Sequence, residues 1–499
     1  MQKMFTLRTK EERYWLALVV LFIVSRLIFS LQGGTFLATP LSFAKQFLDP
    51  QLLHHDLLRS LFYLHAQPPL FNLFLGLVLK ISPLPAVSFE LLFKTAGIVI
   101  PLLFFGILTT IGINSLIAFI ATIIFMFNPT LILYENLLYY TYSEALCILL
   151  ALFFLLQWLT RSRLYFLMLF WIALLCLGMI RSLFHPVFFL ITALTLALYL
   201  ACTAMRQRLA RQLLLASLIA LIPLSLVCLK NGYLYGFWGT SSWDGMSLWI
   251  KANGYAPETL EEFYRKGIIS QHGLRADLET FKPISSYFGD DELKDIPCHH
   301  AADCNEWKSS GKPNYNHSGY VSLSKALWKD ALSLIAHNPK LFAHYTFVSY
   351  SLMLWHASDS VTALFMKNME ILEGLEEVYR YLHGGFLGVE SKRSTHYLWW
   401  VRTFMISALF IFFYGSTLYA AVRKGNGSSY AIVTLCIFCV LIHTYTLFIS
   451  SFIEFGENNR FRFPVDPAFL VLMAGNIVIW KNSFNRKNCR REAGIATPG

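Results

Sequence analysis

Charge is scarce in this sequence. Only 14% of its 499 residues are charged while 56% are hydrophobic, and the mean hydropathy is +0.51; a soluble domain carries roughly 25% charged residues. That shortage excludes an ordinary cytosolic enzyme. Also missing are zinc-finger spacings, a Gly-rich phosphate loop, a basic stripe on a polar helix, a low-complexity tract and an internal repeat of fixed period. Nucleic-acid binding is therefore not expected, and the inverted-repeat plan of many transporters gains no support. The 41 basic residues outnumber the 30 acidic ones, a formal charge of +11, but most of them flank apolar runs. There they read as topology signals and contacts to anionic lipid.

Long apolar runs are abundant. The first, Tyr14 to Leu31, follows Lys3, Arg8, Lys10 and Arg13 with no small-residue cleavage site behind it, so it reads as a retained span with a cytoplasmic N-terminus. Runs of about 17 to 25 residues recur near Phe89–Ile111, Leu137–Leu159, Leu164–Ile180, Pro186–Ala204, Leu213–Cys228, Leu398–Ala421, Tyr430–Ile453 and Pro464–Trp480. Shorter ones lie at Pro69–Ile81, Ser115–Phe127 and Leu341–Trp355. Arg161 with Arg163, the cluster Arg206, Arg208 and Arg211, Arg423 with Lys424, and the basic tail from Lys481 to Arg491 mark cytoplasmic sides. Residues 32–68, 230–396 and 454–463 then lie outside. Parity requires one of the four runs before Arg161 not to cross, and Pro69–Ile81, opened by Pro68-Pro69 and short, is the expected exception. By the same parity Leu341–Trp355 is an interfacial or re-entrant helix. The expectation is an all-α polytopic membrane protein of about ten to twelve transmembrane or re-entrant helices. It divides into a first module, 1–229, an extracytoplasmic insertion, 230–396, and a C-terminal module, 397–499, whose tail is cytoplasmic.

The first outside loop, Leu41 to Asn72, gathers Asp49, Asp56, His54, His55, His65 and Arg59. Ionisable groups at a membrane face usually have a function. Leu52, Leu53, Leu57, Leu58, Leu61 and Leu64 recur at helical spacing, which predicts an amphipathic helix on the membrane surface. Asp49 precedes Pro50 and suits a helix cap; Asp56 falls on the wet face. Both acids are also candidates for catalysis. Farther along, Arg460 and Arg462 stand at the outer mouth of the last span in Glu457-Asn458-Asn459-Arg460-Phe461-Arg462-Phe463-Pro464. In an extended chain they share one side and suit a lipid-linked phosphate, which arginine grips with two hydrogen bonds; snorkelling anchors are the alternative. Phe237 to Trp243 has the aromatic and small polar content of a sugar-contacting loop, or of a cluster that anchors the insertion.

An acid in the first outside loop, the element His65-Ala66-Gln67-Pro68-Pro69-Leu70, the Arg-aromatic-Arg-x-Pro run at 460–464 and the turn Arg181-Ser182-Leu183-Phe184-His185-Pro186 together resemble the GT-C class. These are integral-membrane glycosyltransferases that use a polyprenyl-phosphate sugar, and the resemblance covers about the first 190 residues and the final 50. It implies a GT-C-like fold and sugar transfer, with inversion, to a glycan, lipid or protein hydroxyl. The site would lie on the periplasmic face of a bacterial inner membrane. Asp49 would be the catalytic carboxylate, the base that takes the acceptor proton, with Asp56 the second choice. Arg460, Arg462 and Arg181 would bind donor phosphate, and His65, Glu135, His185, Glu457 and Trp243 would contact acceptor or sugar. No cofactor is firmly implied; a divalent metal ion stays open. A transporter or flippase of a lipid-linked anion would use the same arginines, and a non-catalytic assembly subunit also fits the large aromatic insertion. The crowding of charge at one face favours the enzyme.

Two cysteines of nine lie in polar sequence, Cys298 and Cys304. An oxidising outside compartment favours a disulfide between them; a zinc site with His299 and His300 or two free thiols are the alternatives, and the spacing is too crowded for a finger. Asn316-His317-Ser318 is a glycosylation sequon on the outside.

Overall fold

The computed structural model describes residues 10–203, 206–276, 280–354, 374–375, 378–379, 396–423, 430–456 and 458–492. Among these the regular elements are helical, and the only β features are two isolated bridges, Leu37 with Leu137 and Trp307 with Pro313. The chain opens with α1 (Lys10–Leu31), then four loop helices and hairpin partners, α2 (Pro40–Phe43), α3 (Pro50–His55), α4 (Leu57–Phe62) and α5 (Leu70–Ile81). The bundle continues with α6 (Pro85–Thr110), α7 (Ser115–Met126), α8 (Pro129–Glu135), α9 (Tyr140–Arg161), α10 (Leu164–Ile180), α11 (Pro186–Cys202) and α12 (Gln207–Tyr235). The insertion holds α13 (Asp244–Ala252), α14 (Pro257–Arg265), α15 (Gln271–Ala276), α16 (Asp290–Lys294), α17 (Ala301–Cys304), α18 (Gly319–His337) and α19 (Pro339–Met353). Four helices close the fold: α20 (His396–Val422), α21 (Tyr430–Ile453), α22 (Asn458–Arg462) and α23 (Asp466–Glu492).

Among the described residues, seven helical stretches are long and apolar enough to cross a membrane: α1, α6, α9, α12, Trp400–Val422, α21 and Asn458–Asn485. The chain is a polytopic membrane protein. α7 and α8 make an eighth span if they are one broken helix, bent by 59°, and α5, α10 and α11 are shorter apolar helices. The bend has a local cause: Asn128 accepts a hydrogen bond from the Thr130 amide and Pro129 starts the second piece, so the chain restarts a helix instead of continuing one.

α12 runs six residues beyond the boundary expected at 229 and stops at Gly236, whose φ of +68° glycine adopts without strain. The expected interfacial helix is α19, Pro339–Met353, with Asn338 capping its first turn; Trp355 lies outside the described residues. α9 is the central helix, packed against α6, α10, α21 and α23, so the two ends of the sequence meet around it.

The insertion is seated by backbone proximity. α13 lies on α18 so closely that a Cβ on Gly245 would come within 1.9 Å of the Ser324 carbonyl oxygen. This contact fixes the position of Asp244, one residue before it.

Candidate functional site

The first loop and the insertion are joined by polar contacts from end to end. Asn316 Oδ1 accepts from the amides of His65 and Ala66, while its Nδ2 donates to the carbonyls of Tyr63 and Ala302. Ser242 donates its amide to the His65 carbonyl, and Ser241 its hydroxyl to that of Ala66. Lys308 and Ser310 reach the carbonyls of Ala44 and Ser42. Asn316 is thus a buried tie, 3% exposed, and the sequon reading fails because its amide is fully engaged inside the protein.

Beside these ties lies an open cavity of about 700 Å³, within the size range of small-molecule sites. Its walls come from the first loop (Phe43 to Gln46, Gln67), the start of α9 (Tyr139, Tyr140), the turn at 181–187, the insertion (Ser241, Trp243, Asp244, Ser247, Phe281) and the C-terminal turn (Glu454, Arg460, Phe461). Five charged side chains line it: Lys45, Arg181 and Arg460 against Asp244 and Glu454. On one flank Leu183, Val187, Ile449 and Ile453 make an apolar wall where α11 meets α21, and Val187 is 51% exposed.

Arg181 ends α10 and is buried. Its Nη1 donates to both Glu144 oxygens, at 2.8 and 3.0 Å, and its guanidinium lies 3.8 Å from the ring centre of Phe461. Arg460 Nη1 donates to the Tyr139 hydroxyl at 2.7 Å, with the same ring beneath it. Neighbouring aromatic faces favour cations at little desolvation cost, so both guanidiniums are held in place at the cavity wall.

Asp244 begins α13 and opens onto the cavity, which is itself walled by protein. Asp244 itself is exposed to the cavity; protein crowding around it, and then the negative charge of Glu454, push its carboxyl above the usual aspartate range. Glu454 accepts from the Ser247 hydroxyl at 3.3 Å. The sequence does not link these two acids: Asp244 follows an aromatic loop and Glu454 ends a span 210 positions later. The signal available was only that each acid borders an apolar segment.

The expected site residues divide into two groups. Arg181, Arg460, His185 and Trp243 line the cavity. His185 caps α11 through the Val187 amide, and burial lowers its pKa. Trp243 donates its indole N–H to the Tyr315 carbonyl and packs edge-on against Phe281. The others lie elsewhere. Asp49 caps α3 through the Gln51 amide and accepts two hydrogen bonds from Ser309. Asp56 pairs with His300 at 3.0 Å. His65 is fully buried, 2.9 Å from the Ser242 hydroxyl, and burial holds it down to about 3, hence neutral. Glu135 is buried in an ion triad with Arg26 and Lys94, at 2.8 and 2.9 Å. Arg462 points away from Arg460: residues 458–462 are helical, not extended, so two-residue spacing puts the side chains on different faces, and Arg462 pairs with Asp466 at 3.0 Å. Glu457 lies outside the described residues.

Cys298 and Cys304 form a disulfide. The loop it closes carries Asp303, which accepts from the amides of His299 and His300 and from the Tyr235 hydroxyl. Tyr63 of the first loop stacks on both histidine rings. Among the described residues no group of three or more His, Cys, Asp or Glu side chains is arranged to hold a metal ion. Comparison with protein-family models, with curated proteins and with solved structures finds no match to this chain.

Proposed function

We propose that the chain is a membrane glycosyltransferase that moves a sugar from a polyprenyl-phosphate donor to an acceptor hydroxyl in this cavity, on the extracytoplasmic side. The observation that carries the reading is the company the cavity keeps. Two guanidiniums, a carboxyl whose pKa is raised above the usual aspartate range and an apolar flank open beside α11 line one cavity. A lipid-linked sugar phosphate needs each of them: cations for the phosphate, a base for the acceptor, and a hydrocarbon path for the tail.

In this reading Asp244 replaces Asp49 as the base. The acceptor oxygen attacks the anomeric carbon and its proton passes to Asp244 Oδ. The bond from the anomeric carbon to the phosphate oxygen breaks, and the phosphate leaves with the electron pair. Arg460 and Arg181 stabilise the charge that grows there, the contribution expected of donors fixed in place before the reaction. Glu144 behind Arg181 orients that guanidinium. Trp243 and Phe281 line the cavity wall against which the C–H surface of a sugar would lie. Attack from the side opposite the leaving phosphate inverts the anomeric centre.

The test is mass spectrometry of glycolipids and envelope glycans in cells with and without the protein. The reading expects a glycosylated species that disappears with the gene and does not return with Asp244→Asn. An unchanged glycan profile contradicts it.

A further inference from the structure

Two buried arginines of this chain hold their acids differently. Arg26 grips Glu135 with the fork that arginine prefers: Nε and Nη2 both donate to the carboxylate, at 3.0 and 2.8 Å. Arg181 meets Glu144 through Nη1 alone, which reaches both oxygens. Its Nε and Nη2 have no hydrogen-bond partner among the described residues, although the side chain is 4% exposed and lines the cavity. Donors left without an acceptor in a buried side chain are costly. A contact besides the ion pair must therefore favour this orientation.

That contact is a ring. The centre of Phe461 lies 3.8 Å from the Arg181 guanidinium carbon, and that of Tyr140 lies 5.4 Å away. Phe461 is itself fixed in place. It is buried in a cluster with Met353 of α19, Leu354 just beyond it, Phe410 of α20 and Leu447 of α21. Leu183, two residues after Arg181, rests against the same cluster. The residue before Phe461 is Arg460, whose guanidinium carbon is 5.7 Å from this ring and 5.1 Å from that of Tyr139. Adjacent positions of α22 thus carry one cation of the cavity and the surface on which the other lies.

We propose that Phe461 is a positioning residue: its ring face holds the Arg181 guanidinium out of a two-nitrogen grip on Glu144 and keeps Nε and Nη2 available to an anion in the cavity. The inference rests on the reading that this anion is the phosphate of a lipid-linked donor. Arg460 and Phe461 then act as one device, and weakening the ring is felt as a partial loss of Arg181.

The test replaces Phe461 by a trifluorinated phenylalanine, which keeps the shape of the ring and removes the negative charge of its face. The melting temperature is expected to stay at the wild-type value. Equilibrium binding of farnesyl phosphate to the protein in nanodiscs weakens by about tenfold, the scale of a desolvated cation–ring contact, and a singly fluorinated ring gives an intermediate loss. In a background of Arg181→Met with Glu144→Gln, which removes cation and anion together, the fluorinated ring changes binding no further. Wild-type affinity with the trifluorinated ring, or an equal loss in that background, overturns the proposal. The placement of the guanidinium is read without ligand from the Nε–H resonance of nitrogen-labelled arginine that Arg181→Lys removes. Stacking shifts it upfield, and Phe461→Leu returns it downfield; a resonance indifferent to Phe461→Leu also overturns the proposal. A resonance that responds, in a wild-type protein that does not bind farnesyl phosphate, overturns the donor reading alone.

Discussion

Ser309 occupies both oxygens of Asp49: its amide donates to Oδ2 at 2.8 Å and its hydroxyl to Oδ1 at 2.5 Å. The acid that the sequence marks for catalysis is a joint between the first loop and the insertion. Asp49→Ala leaves the amides of Gln51 and Ser309 without their acceptor and costs about 1–3 kcal/mol. Thermal melting in detergent reads this as a lower Tm. Transfer by the fraction that remains folded keeps its pH profile. A loss of turnover with no loss of Tm would return Asp49 to the catalytic role.

Asp244→Asn is expected to lower turnover by about 10²–10⁴, the usual contribution of a general base. In the wild type the rate rises with pH through about 6, as Asp244 becomes ionised, and then levels. Stability moves the other way. A carboxyl whose pKa is raised by folding favours the folded state most when protonated; that advantage is lost as pH rises from the unfolded value toward about 6. Above pH 6, Asp244→Asn therefore melts no lower than wild type. A variant that is both inactive and unstable at pH 7.5 would contradict this.

Arg460→Ala and Arg462→Ala separate two neighbours that the sequence treats alike. Losing Arg460 removes charged hydrogen bonds of about 1.5–3 kcal/mol, roughly 10- to 100-fold in donor affinity. Losing Arg462 leaves Asp466 without its 3.0 Å partner and lowers stability by about 1–2 kcal/mol, with donor affinity unchanged. Equilibrium binding of a labelled donor checks both.

Glu135 bears on folding instead of on chemistry. Its carboxylate is 0% exposed and faces two cations. Glu135→Ala leaves the buried Arg26 and the half-buried Lys94 without their anion, at about 3–5 kcal/mol. Expression and melting temperature report it, and Arg26→Met combined with Glu135→Met recovers part of the loss.

Apolar runs and caps were legible because they are local. Pro50, Pro129, Pro186 and Pro339 each open a helix behind a capping side chain, and each sits where the sequence turns. The arginines at 181 and 460 stand at the ends of apolar runs in the sequence, and both line the cavity. What could not be read was partnership across the chain. Glu135 looks like a site acid until Arg26, 109 positions earlier, is seen on it. Asp49 looks free until Ser309, 260 positions later, takes it. Asp244 and Glu454 gain meaning only from each other. The spacing of Arg460 and Arg462 misled for a smaller reason: it assumes an extended strand, and the residues form a helical turn.

The account turns on one cavity binding one kind of lipid. The most direct measurement is turnover of an isotope-labelled polyprenyl-phosphate sugar by the purified protein in nanodiscs, with an extract of envelope acceptors supplied. The account predicts labelled sugar on the acceptor and free polyprenyl phosphate in equal amounts, both abolished in Asp244→Asn and in the Arg181→Ala, Arg460→Ala pair, and both retained in Arg462→Ala. Donor that neither binds nor turns over, or turnover indifferent to these cavity substitutions, would contradict it.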